Sequence, residues 1–246
     1  MSKKTELLEA IMSCNEREVE NLLSSKILFW KAVSPNTKYN AGWTPLITAS
    51  VNGYISIVEM LLKAGANIDL ANEDGLTPLN IASQSKNNLT VVEALLKAGA
   101  NMDIANKDGE TPIYIASMRD NLPVFELLLK AGANVDIANK DGETPINKAS
   151  QYGNLTIVEA LLKAGANMDI ANKYGETPIL CAFDKGHDKV VETLLKAGAK
   201  LDESRMNLFS ASEKGHTGIV SSLLKAGAKL DSVDNDGNTA LMLAAV

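Results

Sequence analysis

Aromatic residues are scarce in this chain, and cysteines scarcer still. Phe, Trp and Tyr make up 4% of 246 residues, so a core must be assembled from Leu, Ile, Val and Ala. That supply suits close-packed helices better than strands, which favour aromatic and β-branched side chains. Only Cys14 and Cys181 occur, far apart and without metal-ligand spacing. They give no disulfide framework and point to a reducing compartment. No stretch approaches the roughly 18 apolar residues that a membrane-spanning helix needs. Residues 1–9 lack the apolar segment of a signal peptide. No basic run is longer than Lys3-Lys4, and the formal net charge is −6. That balance argues against duplex nucleic acid, whose affinity rests on neutralising phosphates. A cytoplasmic or otherwise intracellular protein without a membrane span is expected.

What the chain does have is repetition. Lys-Ala-Gly-Ala begins at Lys63, Lys97, Lys130, Lys163, Lys196 and Lys225, at intervals of 34, 33, 33, 33 and 29 residues. Thr-Pro pairs at Thr44, Thr77, Thr111, Thr144 and Thr177 keep the same phase. A single unit of about 33 residues therefore accounts for most of the sequence.

Each feature of the unit has a physical meaning. Thr111-Pro112 opens a helix, the hydroxyl capping free N–H groups and Pro occupying a position whose N–H is not needed. Ile113, Ala116 and Ser117 follow at helical spacing, and the chain turns at Asp120-Asn121. A second helix carries Phe125, Leu128 and Leu129 and ends at Gly132, with Lys130 favoured in its last turn by the helix dipole. Asp141-Gly142 in the next connection signals a tight hairpin-type turn. The turn between the helices holds Gly53, Gly153, Gly186 and Gly215 in four units, and Asn87 and Asp120 in two others. Asn and Asp tolerate positive φ better than other non-glycine residues, so a left-handed turn is expected at all six.

Gly75-Leu76-Thr77-Pro78-Leu79-Asn80-Ile81-Ala82, followed by a turn, a V-x-x-L-L helix and Gly-Ala, resembles the ankyrin repeat. The resemblance implies an all-α solenoid of stacked helix-turn-helix units with hairpin-like loops. It also implies a concave groove, lined by the hairpins and the first helices, on which another protein binds. The His that often follows T-P-L in this family is Ile47, Asn80, Tyr114, Asn147 and Leu180 here, which brings local stability into question. Asp69, Asp103, Asp136 and Asp169 stand where many members carry a hairpin Asn.

The resulting organisation is an N-terminal capping repeat with an extended apolar linker over 1–41, and five regular repeats over 42–201. A repeat with a shortened hairpin occupies 202–230, and an incomplete one 231–246. The linker contains Ile27-Leu28-Phe29-Trp30, which is expected to fold back over the end of the core or to form an exposed contact. The sequence reaches Val246 where a second helix is due, so a piece of a longer protein is expected.

Catalytic machinery is not expected. His187 and His216 each follow a turn glycine, and neither has a nucleophile at a diagnostic spacing. Cys181 occupies a packed first-helix position, and Cys14 lies in a turn without a basic cluster to activate it. The hairpin Asp residues lack the spacing of a calcium loop. The glycines follow the repeat and form no phosphate-binding motif. No metal or cofactor is anticipated.

Recognition should then reside where the units differ. Residues 101–112 and 134–145 differ only at Met102 against Val135, so these hairpins cannot tell one part of a partner from another. Trp43 and Leu76 stand where Glu110, Glu143 and Glu176 do, and Tyr174 stands where Asp108 and Asp141 do. Lys148 interrupts an apolar first-helix position, and Met118, Arg119 and Tyr152 are distinctive first-helix ends. Trp, Tyr and Arg are enriched at interface hot spots. The partner-binding candidates are Trp43, Leu76, Met118, Arg119, Lys148, Tyr152 and Tyr174. The expectation is a monomeric, non-catalytic module that binds another protein. One alternative is the targeting module of a larger enzyme, or a secreted microbial effector delivered into a host cell. Another is a passive spacer.

Overall fold

The computed structural model describes residues 2–24, 33–202, 204–225 and 227, and these residues contain α-helices and no strand. Ile27 to Trp30 and the incomplete unit at 231–246 lie outside them. The chain divides into two compact units, Met1–Asn134 and Val135–Val246. The first holds α1 (Lys3–Met12), α2 (Glu16–Leu23), α3 (Pro45–Asn52), α4 (Ile55–Lys63), α5 (Pro78–Ala82), α6 (Leu89–Lys97), α7 (Pro112–Met118) and α8 (Leu122–Ala131). The second holds α9 (Pro145–Tyr152), α10 (Leu155–Lys163), α11 (Pro178–Lys185), α12 (Asp188–Lys196), α13 (Leu208–Glu213) and α14 (Thr217–Lys225). Within each unit the helices come in antiparallel pairs, and each pair stacks on the next.

The helix starts follow from the Thr-Pro pairs. Thr44, Thr77 and Thr111 accept the N–H three residues on, at 3.2, 3.2 and 3.3 Å, and Pro takes the first helical position. Where Thr-Pro is missing, Asn207 caps α13 by accepting from the Ser210 N–H at 2.8 Å. The first helices bury Leu46, Leu79 and Ile113 in one unit and Ile146, Ile179 and Leu208 in the other. The second helices bury Val58, Val92 and Phe125, and Val158 and Val191. Each such side chain contributes about 1.5–3 kcal/mol by leaving water.

Helix pairs turn through left-handed residues, as the spacing indicated, with φ of 74° at Gly53, 72° at Gly153, 74° at Gly186 and 51° at Asp120. Cys14 takes the same role in the first pair, with φ of 53°. Asn87 does not. The extra residue in its unit lengthens the turn into a 3-10 segment, Lys86–Asn88, entered through Ser85, and no positive φ is needed.

The loops between pairs form fingers built on an Asn. Asn106 Oδ1 accepts from the N–H groups of Asp108 and Glu110, both at 2.9 Å, and Asn139 Oδ1 does the same for Asp141 and Glu143. Neighbouring fingers are joined main chain to main chain at their tips. Glu73 N–H donates to Ala41 O at 3.0 Å, Lys107 N–H to Asp74 O at 2.8 Å, and Lys173 N–H to Asp141 O at 2.8 Å. At their bases the hairpin Asp residues form a second set of links. Asp69, Asp103 and Asp136 accept the N–H groups of Asn101, Asn134 and Asn167 at 3.1, 3.0 and 2.9 Å.

Loss of the family His does not leave these joints open at two of the five positions. Asn80 accepts from the Thr77 N–H at 2.9 Å, and its amide donates across to Ile104 O at 3.1 Å. Asn147 accepts from the Thr144 N–H at 2.9 Å and donates to Ile170 O at 3.2 Å. Ile47, Tyr114 and Leu180 are buried.

Candidate functional site

Five large apolar side chains are exposed among the described residues: Met12, Val51, Tyr152, Tyr174 and Leu224. Met12, Val51 and Tyr152 lie at the C-terminal ends of the first helices α1, α3 and α9, and Tyr174 at a finger tip. Leu224, on α14, is the exception. Met12 and Val51 belong to the first unit, and Tyr152 and Tyr174 to the second, so in each unit exposed apolar side chains fall on a first-helix end or a finger tip.

The Met1–Asn134 unit contains a groove of about 670 Å³ beside Met12 and Val51. Its walls are Lys4, Leu8 and Met12 of α1, Lys38, Tyr39 and Trp43 of the first finger, and Val51 and Asn52 of α3. Spacing at i, i+4 and i+8 places Lys4, Leu8 and Met12 together on the groove side of α1, with Lys4 exposed.

The first finger departs from the others in a coordinated way. Asn106, Asn139 and Asn172 each donate a side-chain N–H to the Glu four residues on, at 2.9, 3.1 and 2.8 Å. Tyr39 and Trp43 occupy those two positions in the first finger, where Tyr39 N–H donates to Trp43 O at 2.8 Å. Where those three fingers carry a polar pair, the first carries an aromatic pair beside the groove. Tyr39 Oη is buried and finds no hydrogen-bond partner, and burial pushes its pKa up to about 12.

Leu76 is a half-made version of the same change. Asn72 is retained, but Leu stands where the accepting Glu would be, and the Asn72 side-chain N–H is left without a partner. Restoring that acceptor by Leu76→Glu is expected to stabilise the protein by about 1 kcal/mol, the net value of one buried hydrogen bond. A urea midpoint that fails to rise would show that Asn72 finds its partner elsewhere. Leu76 thus costs the fold a bond at a half-buried finger position.

The other candidates fall as follows. Met118 is half-buried at the end of α7, and Arg119, next to it, is exposed. In the Val135–Val246 unit, Tyr152 is 53% and Tyr174 66% exposed. Lys173 ties to Asp141 and sits 5.0 Å from the Tyr174 ring centroid, which holds the tip side chain in place. Lys148 is largely occupied internally. Its ammonium meets both Glu143 oxygens at 2.9 Å, with side chains 15% and 11% exposed, and lies 6.0 Å from the Tyr152 ring. Trp43 joins the groove, Lys148 and Tyr152 adjoin each other, and Leu76, Met118 and Arg119 do not line the groove.

His187 and Cys181 are built into the stack. His187 bonds Gln151 O at 3.0 Å beneath Gly153, where a Cβ would strike the ring at 2.6 Å. Cys181 is buried, and its thiol is pushed up to about 12, first by burial and then by the charges of Glu176 and Glu143. A folded-state pKa raised in this way contributes stability that is lost as pH rises from the ordinary thiol value toward 12. Cys14 is exposed. Titration with an aromatic disulfide at pH 8 is expected to consume one thiol rapidly in the native chain and two in denaturant. Two fast thiols in the native protein would contradict the packing of α11. No group of three His, Cys, Asp or Glu side chains that could hold a metal occurs among the described residues. No helix among them is long and apolar enough to cross a membrane.

The stacked pairs, the Thr-Pro caps and the joined fingers agree with a comparison to known families. A family model described as ankyrin repeats (3 copies) matches residues 7–106, 79–172 and 114–205. The chain belongs to the ankyrin-repeat family. Ankyrin repeats are generally protein-interaction modules and typically non-catalytic. Among relatives, the chain is 38% identical over 72 residues to the mitochondrial disaggregase of Homo sapiens, covering 29% of this chain and 9% of that protein. It is 32% identical over 83 residues to a putative ankyrin repeat protein of Rickettsia bellii (strain RML369-C), covering 34% of this chain and 49% of the relative. It is also 32% identical over 81 residues to the Notch-regulated ankyrin repeat-containing protein of Xenopus tropicalis, covering 30% and 64%. The alignment thus spans about a tenth of the disaggregase and about half of the rickettsial protein.

Proposed function

We propose that this ankyrin-repeat chain is a non-catalytic module that binds another protein through its finger tips and first-helix ends. The observation that carries the reading is the exposure of Met12 and Val51 in the first unit, and of Tyr152 and Tyr174 in the second, on first-helix ends and a finger tip. The finger joints rest on main-chain and Asn or Asp hydrogen bonds that do not use Met12, Val51, Trp43, Tyr152 or Tyr174, whereas Lys148 is held by Glu143. The candidates are Trp43, Leu76, Met118 and Arg119 in the first unit, and Tyr152 and Tyr174 in the second, where Lys148 supports the Tyr152 ring from its pair with Glu143. Such a surface is preformed, which lowers the ordering cost of binding.

The test is a quantitative pull-down with the full chain beside a folded triple variant, Trp43→Ala, Met118→Glu and Tyr152→Ala. A protein captured by the first and lost by the second supports the reading. Equal capture by both moves binding off this surface, and absence of any specific capture favours a passive spacer. The short match to the disaggregase favours a second reading, in which such a module targets a larger enzyme. The open reading frame around the coding segment tests it, because a frame that encodes no further domain removes that reading.

A further inference from the structure

The groove of the first unit carries a charge opposite to that of the chain. The protein has 30 acidic against 24 basic side chains, yet the charged residues lining the groove are Lys4 and Lys38, with no carboxylate. Lys4 sits 5.7 Å from the Tyr39 ring centroid, and Lys38 reaches a main-chain carbonyl, Ala71 O, at 3.4 Å. Among the described residues neither forms an ion pair. Between them lie Leu8, Met12, Trp43 and Val51, an apolar floor with room for one or two large side chains. Trp43 is anchored through its main chain, its N–H donating to Asn40 O at 3.3 Å and its carbonyl accepting from Tyr39 at 2.8 Å. At the rim, Asn40 offers an exposed side-chain amide, while Asn52 donates its Nδ2 to Thr48 O at 2.8 Å and keeps its Oδ1 as an acceptor of the kind that main-chain N–H groups use. The Tyr39 hydroxyl, buried and unpartnered, is a further donor that the fold leaves unused.

We infer that this groove binds an extended acidic peptide segment of the protein partner, seating one large apolar side chain against Trp43 and placing flanking carboxylates on Lys4 and Lys38. The inference rests on the interaction reading above and narrows it to the groove of the first unit and to one chemistry. The groove's lysines are free to pair, and its floor is apolar. Its polar rim groups suit a main chain, which favours a peptide over a ligand with no amides to bond.

The experiment uses the full chain and fluorescein-labelled decapeptides with a central Leu, Phe or Trp flanked by Asp and Glu. Matched peptides carry Ser flanks, Lys flanks or a central Ala. Fluorescence anisotropy at low and physiological salt should show the acidic peptides binding at least tenfold more tightly than every control, with affinity falling as salt rises. The exposed double reversal Lys4→Glu with Lys38→Glu should lower that affinity tenfold or more, and Trp43→Ala should do the same. Circular dichroism verifies that each variant keeps its helices. Binding indifferent to flank charge, or unchanged by the double reversal, overturns the assignment. Sedimentation that shows self-association lost in Trp43→Ala assigns the groove to a second copy of the chain and overturns it as well. If acidic peptides fail while a captured protein still depends on Tyr152, the groove inference falls alone. If that dependence fails too, the interaction reading falls with it.

Discussion

Truncating Phe125 to alanine is expected to lower the unfolding free energy by about 3–5 kcal/mol, the usual cost of removing a buried Phe. Phe125 is fully buried on α8, in the column that Val58 and Val92 fill in the two preceding second helices. An aromatic ring at one level of a Val column occupies space that the neighbours on α6 and α7 cannot close, so the truncation leaves a cavity. Phe125→Leu should cost less than about 1.5 kcal/mol, because most of the volume is kept. Urea denaturation followed by far-UV circular dichroism measures both. Each pair in a repeat array packs on its neighbours, so amide exchange in Phe125→Ala should accelerate first in α6 and α8. A loss below about 1 kcal/mol would mean that this level is not close-packed.

The second large effect is expected at a finger tip. Gly75 has φ of 76°, and a Cβ added there would lie 2.8 Å from the backbone nitrogen of Lys107. That nitrogen donates the tip bond to Asp74 O, so it cannot retreat without breaking the joint. Gly75→Val therefore combines the torsional cost of a left-handed β-branched residue with loss of a hydrogen bond, about 2–4 kcal/mol together. Gly99 is the control. Its φ is 89°, but nothing lies within 4 Å of an added Cβ. Gly99→Ala should cost only the torsional part, about 1–2 kcal/mol. Thermal unfolding of the two variants side by side distinguishes steric from torsional strain, and equal losses would remove the tip contact from the account.

Most of the fold was legible because the repeat writes each rule several times. Thr-Pro at a fixed phase implied a capped helix start, and Gly at another phase implied a left-handed turn, so Asp120 could be read by its neighbours' example. Asn87 was misread because that example assumed an unchanged loop length. One added residue lets the chain turn through a 3-10 segment and lifts the demand for positive φ. The roles of Asp69, Asp103 and Asp136 were hidden for another reason. Their partners are main-chain N–H groups 31 or 32 residues away, which no side-chain pattern marks. The candidate surface was legible only in part. Trp43 stood out against the Glu residues of the other fingers, whereas its companion Tyr39 lies just after an insertion that obscures the count. Lys148 looked unusual for its position, but its Glu143 partner makes it part of a local ion pair.

The tip joints have a consequence for how such a chain can change over generations. Each is made by a main-chain N–H and a main-chain carbonyl, so its strength is nearly blind to which residue stands there. Ala41, Asp74 and Asp141 all serve as acceptor, and Glu73, Lys107 and Lys173 all serve as donor. Mutation can therefore redraw the outward face of a finger while the scaffold beneath it keeps its register. Tyr39 and Trp43, standing where other fingers of this chain carry Asn and Glu, show that such a difference is compatible with an intact joint. The same architecture makes duplication safe, because a copied unit brings its own couplings with it. New specificity can then arise by editing a copy, leaving the older fingers to hold the stack together.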